Sequence, residues 1–175
     1  MAKPTLYMML GFPGAGKTTV ARIIEQLTGA VRLSSDQVRS ETYDKPSFSE
    51  EEHQELYDKI NRLTEGYLSQ GRDVIYDANL NRYIHRLEKY DIAEKVGANT
   101  KLVWVQTPEQ IAKHRATKLG DNDEHRPFGN MIEGVFERLV SEIEEPKDNE
   151  QAITVDGTQV SQEYIRTTLG IADKT

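Results

Sequence analysis

The sequence predicts an α/β fold: a five-stranded parallel sheet with helices on both faces. Three observations lead there. Short apolar runs recur along the chain, and most are followed by a segment with helical spacing of its apolar residues. Glycines or capping residues stand at the joints between them. A glycine-rich turn links the first apolar run to the first helix. Alternation of this kind implies right-handed crossovers and a parallel sheet, with any ligand at the carboxyl ends of the strands. The chain has 175 residues, the size of a single domain, so residues 1–175 are taken as one unit.

The elements follow in order. Thr5-Leu6-Tyr7-Met8-Met9-Leu10 reads as a strand. Val20, Ile23, Ile24 and Leu27 share one helix face. Residues 29–33 read as a second strand, and Ser34-Ser35-Asp36 then caps a short helix over 37–41. Ser49 and Glu52 form a capping-box pattern ahead of a long helix to about residue 70, which Gly71 ends. Residues 73–77 form the third strand, 83–96 a helix closed by Gly97, and 100–105 the fourth strand. Pro108 opens a helix to about 119, and a polar loop covers 120–127. A helix over 130–143, a strand over 152–155 and a helix over 161–169 complete the chain.

The sharpest motif is Gly11-Phe12-Pro13-Gly14-Ala15-Gly16-Lys17-Thr18, which matches the Walker A phosphate loop. Gly11, Gly14 and Gly16 allow a tight turn whose backbone N–H groups, including those of Gly14, Ala15, Gly16, Lys17, Thr18 and Thr19, surround phosphate. Proline has no N–H, so Pro13 contributes by fixing the turn. Lys17 supplies charge to the β- and γ-phosphates, and the Thr18 hydroxyl is suited to Mg²⁺. The helix that starts here adds its positive end.

Three further groups point to phosphoryl transfer. Asp36, just past the second strand, is placed to take a proton from an acceptor hydroxyl, and Arg39 lies on the same side of a helix to hold a phosphate. An N-capping Asp with a surface Arg is the alternative. Asp77 ends a strand as a Walker B acid does, so it is a candidate for orienting Mg²⁺ or binding the acceptor, with Asn79 and Arg82 at the same rim. His114-Arg115 and the loop holding Arg126 read as a lid over about 117–128. Arg115 is expected on the nucleotide and Arg126 on the γ-phosphate.

Composition sets limits. The chain has no Cys, which excludes disulfides and thiolate metal sites and agrees with a cytoplasmic setting. No apolar stretch is long enough to span a membrane. The net charge of −7 argues against electrostatic capture of nucleic acid. Residues 82–118 are locally basic, through Arg82, Arg86, Lys89, Lys95, Lys101, Lys113, Arg115 and Lys118. They read as solvated helix faces or as a rim for an anionic substrate. Acids over 133–150 read as a solvated surface or as a contact face in a nucleotide-dependent switch protein.

Taken in order, G-F-P-G-A-G-K-T-T, S-S-D-Q-V-R, Y-D-A-N-L-N-R and the lid resemble the P-loop kinase family that holds 5′-hydroxyl polynucleotide kinase domains. They are also similar to zeta-toxin-like and to shikimate- and gluconate-kinase-like enzymes. The resemblance implies a P-loop NTPase fold with a small lid, ATP and Mg²⁺ as cofactors, and a hydroxyl acceptor. That acceptor is a 5′-hydroxyl nucleic acid end or a small metabolite. It implies Asp36 as general base, Arg39 on an acceptor phosphate, and lid arginines on the donor phosphates. It also places Val155-Asp156-Gly157-Thr158 where related kinases hold the base, although a plain strand-exit turn satisfies the same residues. ATP rather than GTP follows from the family, and no Asn-Lys-x-Asp guanine-reading motif occurs.

Overall fold

A computed structural model describes residues 2–118 and 128–172. Its elements are β1 (Thr5–Leu10), α1 (Lys17–Thr28), β2 (Val31–Ser34), α2 (Ser35–Thr42), α3 (Glu50–Ser69), β3 (Val74–Asp77), α4 (Tyr83–Val96), β4 (Asn99–Gln106), α5 (Glu109–Lys118), α6 (Glu133–Ser141), β5 (Ile153–Asp156) and α7 (Gln162–Leu169). A 3-10 turn at Asp148–Glu150 precedes β5. The five strands are all parallel in the order β2-β3-β1-β4-β5. The predicted α/β class and parallel sheet are therefore present.

The side-chain alternation of a strand divides the core in two. Leu6, Met8 and Leu10 of β1 face one layer with Leu56, Ile60 and Leu68 of α3. Tyr7 and Met9 face the other, with Val20 and Ile24 of α1 and Ile165 and Leu169 of α7. β3, and β1 beyond Thr5, are buried, and they read as largely apolar runs because both faces are covered. Among the described residues, no helix is long and apolar enough to cross a membrane.

Local chemistry fixes the element ends. Gly29, expected in the second strand, instead closes α1 with φ 75°, so β2 begins two residues later. Ser34, not Asp36, caps α2. Asp36 sits inside its first turn, where the helix's positive end favours a carboxylate. The capping box at α3 forms only in part. Ser49 Oγ accepts from Glu52 N at 3.2 Å, but the Glu52 carboxylate turns to Ser47, accepting from its N–H at 2.5 Å and its hydroxyl at 2.7 Å.

The basic stretch over 82–118 is not uniformly a solvated face or an anion rim. Arg86 is completely buried. Its Nε and Nη2 donate to Glu150 at 2.7 and 3.0 Å, and its Nη1 donates to the carbonyls of Leu80 and Asn81 at 2.9 and 3.1 Å. Lys89 is also buried, ion-paired to Glu88 and set over the Tyr76 ring. Glu150, expected on an acidic surface, is thus an interior anchor. It also accepts from Tyr90 Oη at 3.1 Å and from Lys147 N at 2.9 Å. The anchor ties α4 and the turn after β3 to the segment leading into β5.

Removing one partner of a buried pair strands the other's charge, at a cost of about 3–5 kcal/mol. Glu150→Ala is expected to lower unfolding stability by about that amount in urea titration. A loss below about 1 kcal/mol, the range of exposed pairs, would show that Arg86 finds water or another partner.

Candidate active site

The phosphate loop is shaped by close packing from behind. Gly11 has φ 153°, and a Cβ there would lie 2.4 Å from the Val105 carbonyl oxygen. At Gly14, with φ 77°, a Cβ would lie 2.2 Å from the Ala112 carbonyl oxygen of α5. Thr107 Oγ1 donates to the Ala15 carbonyl at 2.8 Å from a buried position. Gly157, after β5, backs onto the same carbonyl so closely that a Cβ would lie 2.1 Å from it. The loop is clamped between β4, α5 and the exit of β5. Gly16 at φ 106° then starts α1, which carries no acid in its first turn and so leaves its positive end for an anion.

Lys17 Nζ folds back to donate to the carbonyls of Gly11 and Phe12 at 2.7 and 2.9 Å. Protein crowds this ammonium. Loss of water lowers its pKa to about 8, against the opposing pull of Asp77 and then Asp36. Thr18 Oγ1 donates to Asp77 Oδ2 at 3.2 Å, so the two residues expected at a metal are neighbours. Mg²⁺ is bound by few protein groups plus phosphate oxygens, which a hydroxyl beside one carboxylate suits. Among the described residues, no group of three or more His, Cys, Asp or Glu forms an all-protein metal cage.

Asp77 Oδ2 also accepts from Arg32 Nη1 at 3.0 Å, in a pair that is nearly inaccessible to solvent. Sequence reasoning missed Arg32, which looked like an ordinary polar residue in an edge strand. The signal was its place in β2, where strand pairing sets Arg32 beside Ile75 and Ser34 beside Asp77.

Asp36 opens onto the same cleft as Lys17, Thr18 and Asp77, a space of about 490 Å³. Asp36 itself is exposed at the cleft, with protein atoms nearby. Partial loss of water raises its pKa above the ordinary carboxylate value, and the Asp77 charge raises it further, against Arg39 and Lys17. Tyr57 braces this side: its Oη accepts from Asn79 N at 3.1 Å, and its phenol is hydrogen-bonded to Ser35.

Arg39 has a different setting from a hook projecting into the cleft. It is buried, ion-paired with Glu52, and its guanidinium lies over the Phe48 ring at 4.8 Å. Arg115 Nη1 donates to the Gly157 carbonyl at 3.1 Å, bringing the α5 arginine to the exit of β5. Gly11, Pro13 and Gly14 line the cleft, while Ala15 is buried behind it and Thr19 is exposed at the start of α1. Arg126, and the lid over 117–128 apart from Thr117, Lys118 and Phe128, lie outside the described residues.

Residues 6–146 match the AAA domain family. The chain belongs to that family. No curated protein sequence matches it significantly. Among solved structures, this AAA-domain chain is similar to a sugar kinase from Janibacter sp. HTCC2649, with TM-score 0.67 and 18% identity, covering 98% of this chain and 96% of that one. It is similar to the APS kinase of Mycobacterium tuberculosis, solved with AMPPNP and APS, with TM-score 0.67, 17% identity and 98% coverage of both chains. A chain of the Pnkp1/Rnl/Hen1 RNA repair complex aligns with TM-score 0.66 and 18% identity, covering 81% of this chain and 44% of that one. The fold is that of the P-loop kinases, as the motif order implies.

The Lys17 ammonium gives the site a pH dependence. If Lys17 holds a nucleotide triphosphate in its charged form, affinity for AMPPNP·Mg²⁺ is expected to fall as pH rises through about 8, by up to about tenfold per unit. The folded chain releases this proton before the unfolded chain does, so Lys17 by itself favours folding more as pH rises from about 8 toward the ordinary lysine value. Weaker binding in that window therefore reports the site and not unfolding. Calorimetry checks it: the slope should vanish in Lys17→Met, and a flat wild-type profile would contradict the assignment.

Proposed function

We propose that this protein is an ATP-dependent kinase that moves the γ-phosphate of Mg-ATP to a hydroxyl acceptor, with Asp36 as general base. The observation that carries the reading is the convergence of Asp36, Lys17, Thr18 and Asp77 on one cleft at the carboxyl ends of the strands. The phosphate loop by itself supports nucleotide binding. A second carboxylate lining the same cleft supports transfer to an acceptor.

The acceptor hydroxyl loses its proton to a carboxylate oxygen of Asp36 as its oxygen attacks the γ-phosphorus. The bond from γ-phosphorus to the bridging oxygen breaks, and ADP carries away the electron pair. A carboxyl pKa raised above the ordinary aspartate value makes Asp36 a stronger base than an unperturbed Asp. Lys17 leaves the carbonyls of Gly11 and Phe12 for the β- and γ-oxygens. Thr18 with Asp77 would hold Mg²⁺, which would supply charge neutralisation to the phosphates. Arg32 keeps the Asp77 carboxylate oriented. Arg115 serves the nucleotide side beside Gly157, Arg39 supports the acceptor side through Phe48 and the charge of Asp36, and Arg126 serves the γ-phosphate.

Asp36→Asn removes the base and keeps the shape. It is expected to leave the AMPPNP·Mg²⁺ dissociation constant within about threefold and to lower kcat by about 10²–10⁴-fold. Transfer of label from γ-labelled ATP measures it. Full turnover in that variant would remove Asp36 from the role.

A further inference from the structure

Phe12, inside the phosphate loop, lines a second cavity of about 590 Å³. It shares no wall residue with the cleft of Lys17 and Asp36. Its other walls come from the end of β4, the start of α5, and the end of α6 with the segment after it. The burial of β4 marks the gap. Leu102, Val103 and Val105 are at most 1% exposed, yet Trp104 between them stays only half-buried. Phe12, Val140 and Ile143 are half-buried too. These apolar side chains surround one hollow that the protein itself does not fill.

The charge at this hollow is of one sign. Glu109 and Glu145 line it, and both are exposed. Among the described residues, neither carboxylate pairs with a cationic side chain. Lys113 of α5 is committed to Glu133 and Glu137. Arg86 reaches Glu145 only at its main-chain carbonyl, at 3.5 Å. Thr107, also in the wall, spends its hydroxyl on the Ala15 carbonyl. An anion would meet two like charges here. A polyol would lose water to carbon surfaces that return no hydrogen bond. A cation on an apolar stem is matched at both ends, by the carboxylates and by the aromatic residues.

We propose that this cavity binds a small organic ammonium compound with an apolar, ring-bearing stem. The stem lies among Phe12, Trp104, Val140 and Ile143, and the ammonium meets Glu109 and Glu145. The occupant is a single small molecule, because the volume falls within the range of about 300–1,000 Å³ that such ligands fill. The site does not depend on the kinase reading. It adjoins the phosphate loop through Phe12, whose carbonyl receives Ala15 N at 3.0 Å and Lys17 Nζ at 2.9 Å.

Trp104 is the only tryptophan of the chain, so its fluorescence reports this cavity alone. The probe is 4-phenylbutylamine at neutral pH, titrated by calorimetry and by Trp104 emission, with and without saturating AMPPNP·Mg²⁺. The controls are 4-phenylbutyrate, which has the same stem and the opposite charge, and spermidine, which has charge without a ring. The expected result is saturable binding of the amine with a dissociation constant of about 0.1–5 mM, accompanied by a Trp104 response. Both controls should bind at least about tenfold more weakly. Glu109→Gln and Glu145→Gln, which alter exposed side chains, should each weaken the amine about 2- to 10-fold. Ile143→Phe, which fills the hollow, should abolish its binding while AMPPNP·Mg²⁺ still binds.

Absence of saturable amine binding overturns the proposal. Heat without a Trp104 response also overturns it, because the amine then sits elsewhere. Equal binding of 4-phenylbutyrate, or unchanged amine affinity in both Glu→Gln variants, removes the ammonium specificity and overturns it as well. Displacement of the amine without limit by AMPPNP·Mg²⁺ would place it in the phosphate-loop cleft and overturn the second site. Every one of these results leaves the kinase reading untouched.

Discussion

The carboxylate of Asp77 joins parts of the site that chain order keeps far apart. One oxygen receives both the Thr18 hydroxyl, from the first turn of α1, and the Arg32 guanidinium, from the edge strand β2. The same charge draws on the Lys17 ammonium and lifts the Asp36 carboxyl. Parallel pairing of β2 with β3 makes this possible, because it brings Ser34 and Asp77 level at the carboxyl edge of the sheet. α2, which carries Asp36, begins immediately beyond. The site is an outcome of strand register as much as of motif.

Backbone packing explains why the phosphate loop keeps its shape. Two of its glycines do not serve only as flexible turn residues. Gly11 and Gly14 leave no room for a side chain against Val105 and Ala112, and Gly157 leaves none against Ala15. Thr107 closes the remaining carbonyl with a buried hydrogen bond. The loop backbone is thus held from its protein side, while Lys17 Nζ rests on the carbonyls of Gly11 and Phe12.

The sequence made the architecture and the phosphate end readable, because periodicity and the Walker A spacing are local signals. Strand ends at Leu10 and Asp77, the caps at Ser49 and Gly97 and the parallel sheet were all legible. What escaped were consequences of long-range contact. Arg86 and Glu150 looked like surface charges and form a buried pair across 64 residues of chain. Arg39 looked like a free phosphate hook and is committed to Glu52 and Phe48. Arg32 carried no motif at all, and its place against Asp77 comes from strand register.

The central claim is that the Asp77 charge, added to partial loss of water, raises the Asp36 carboxyl above an ordinary aspartate. The most direct measurement is a pH titration of the Asp36 side-chain carboxyl by ¹³C NMR, in the wild-type protein and in Asp77→Asn. The account predicts a wild-type pKa above that of an ordinary aspartate and a downward shift when the Asp77 charge is removed. An Asp36 carboxyl that titrates as an exposed aspartate does and ignores Asp77 would contradict it.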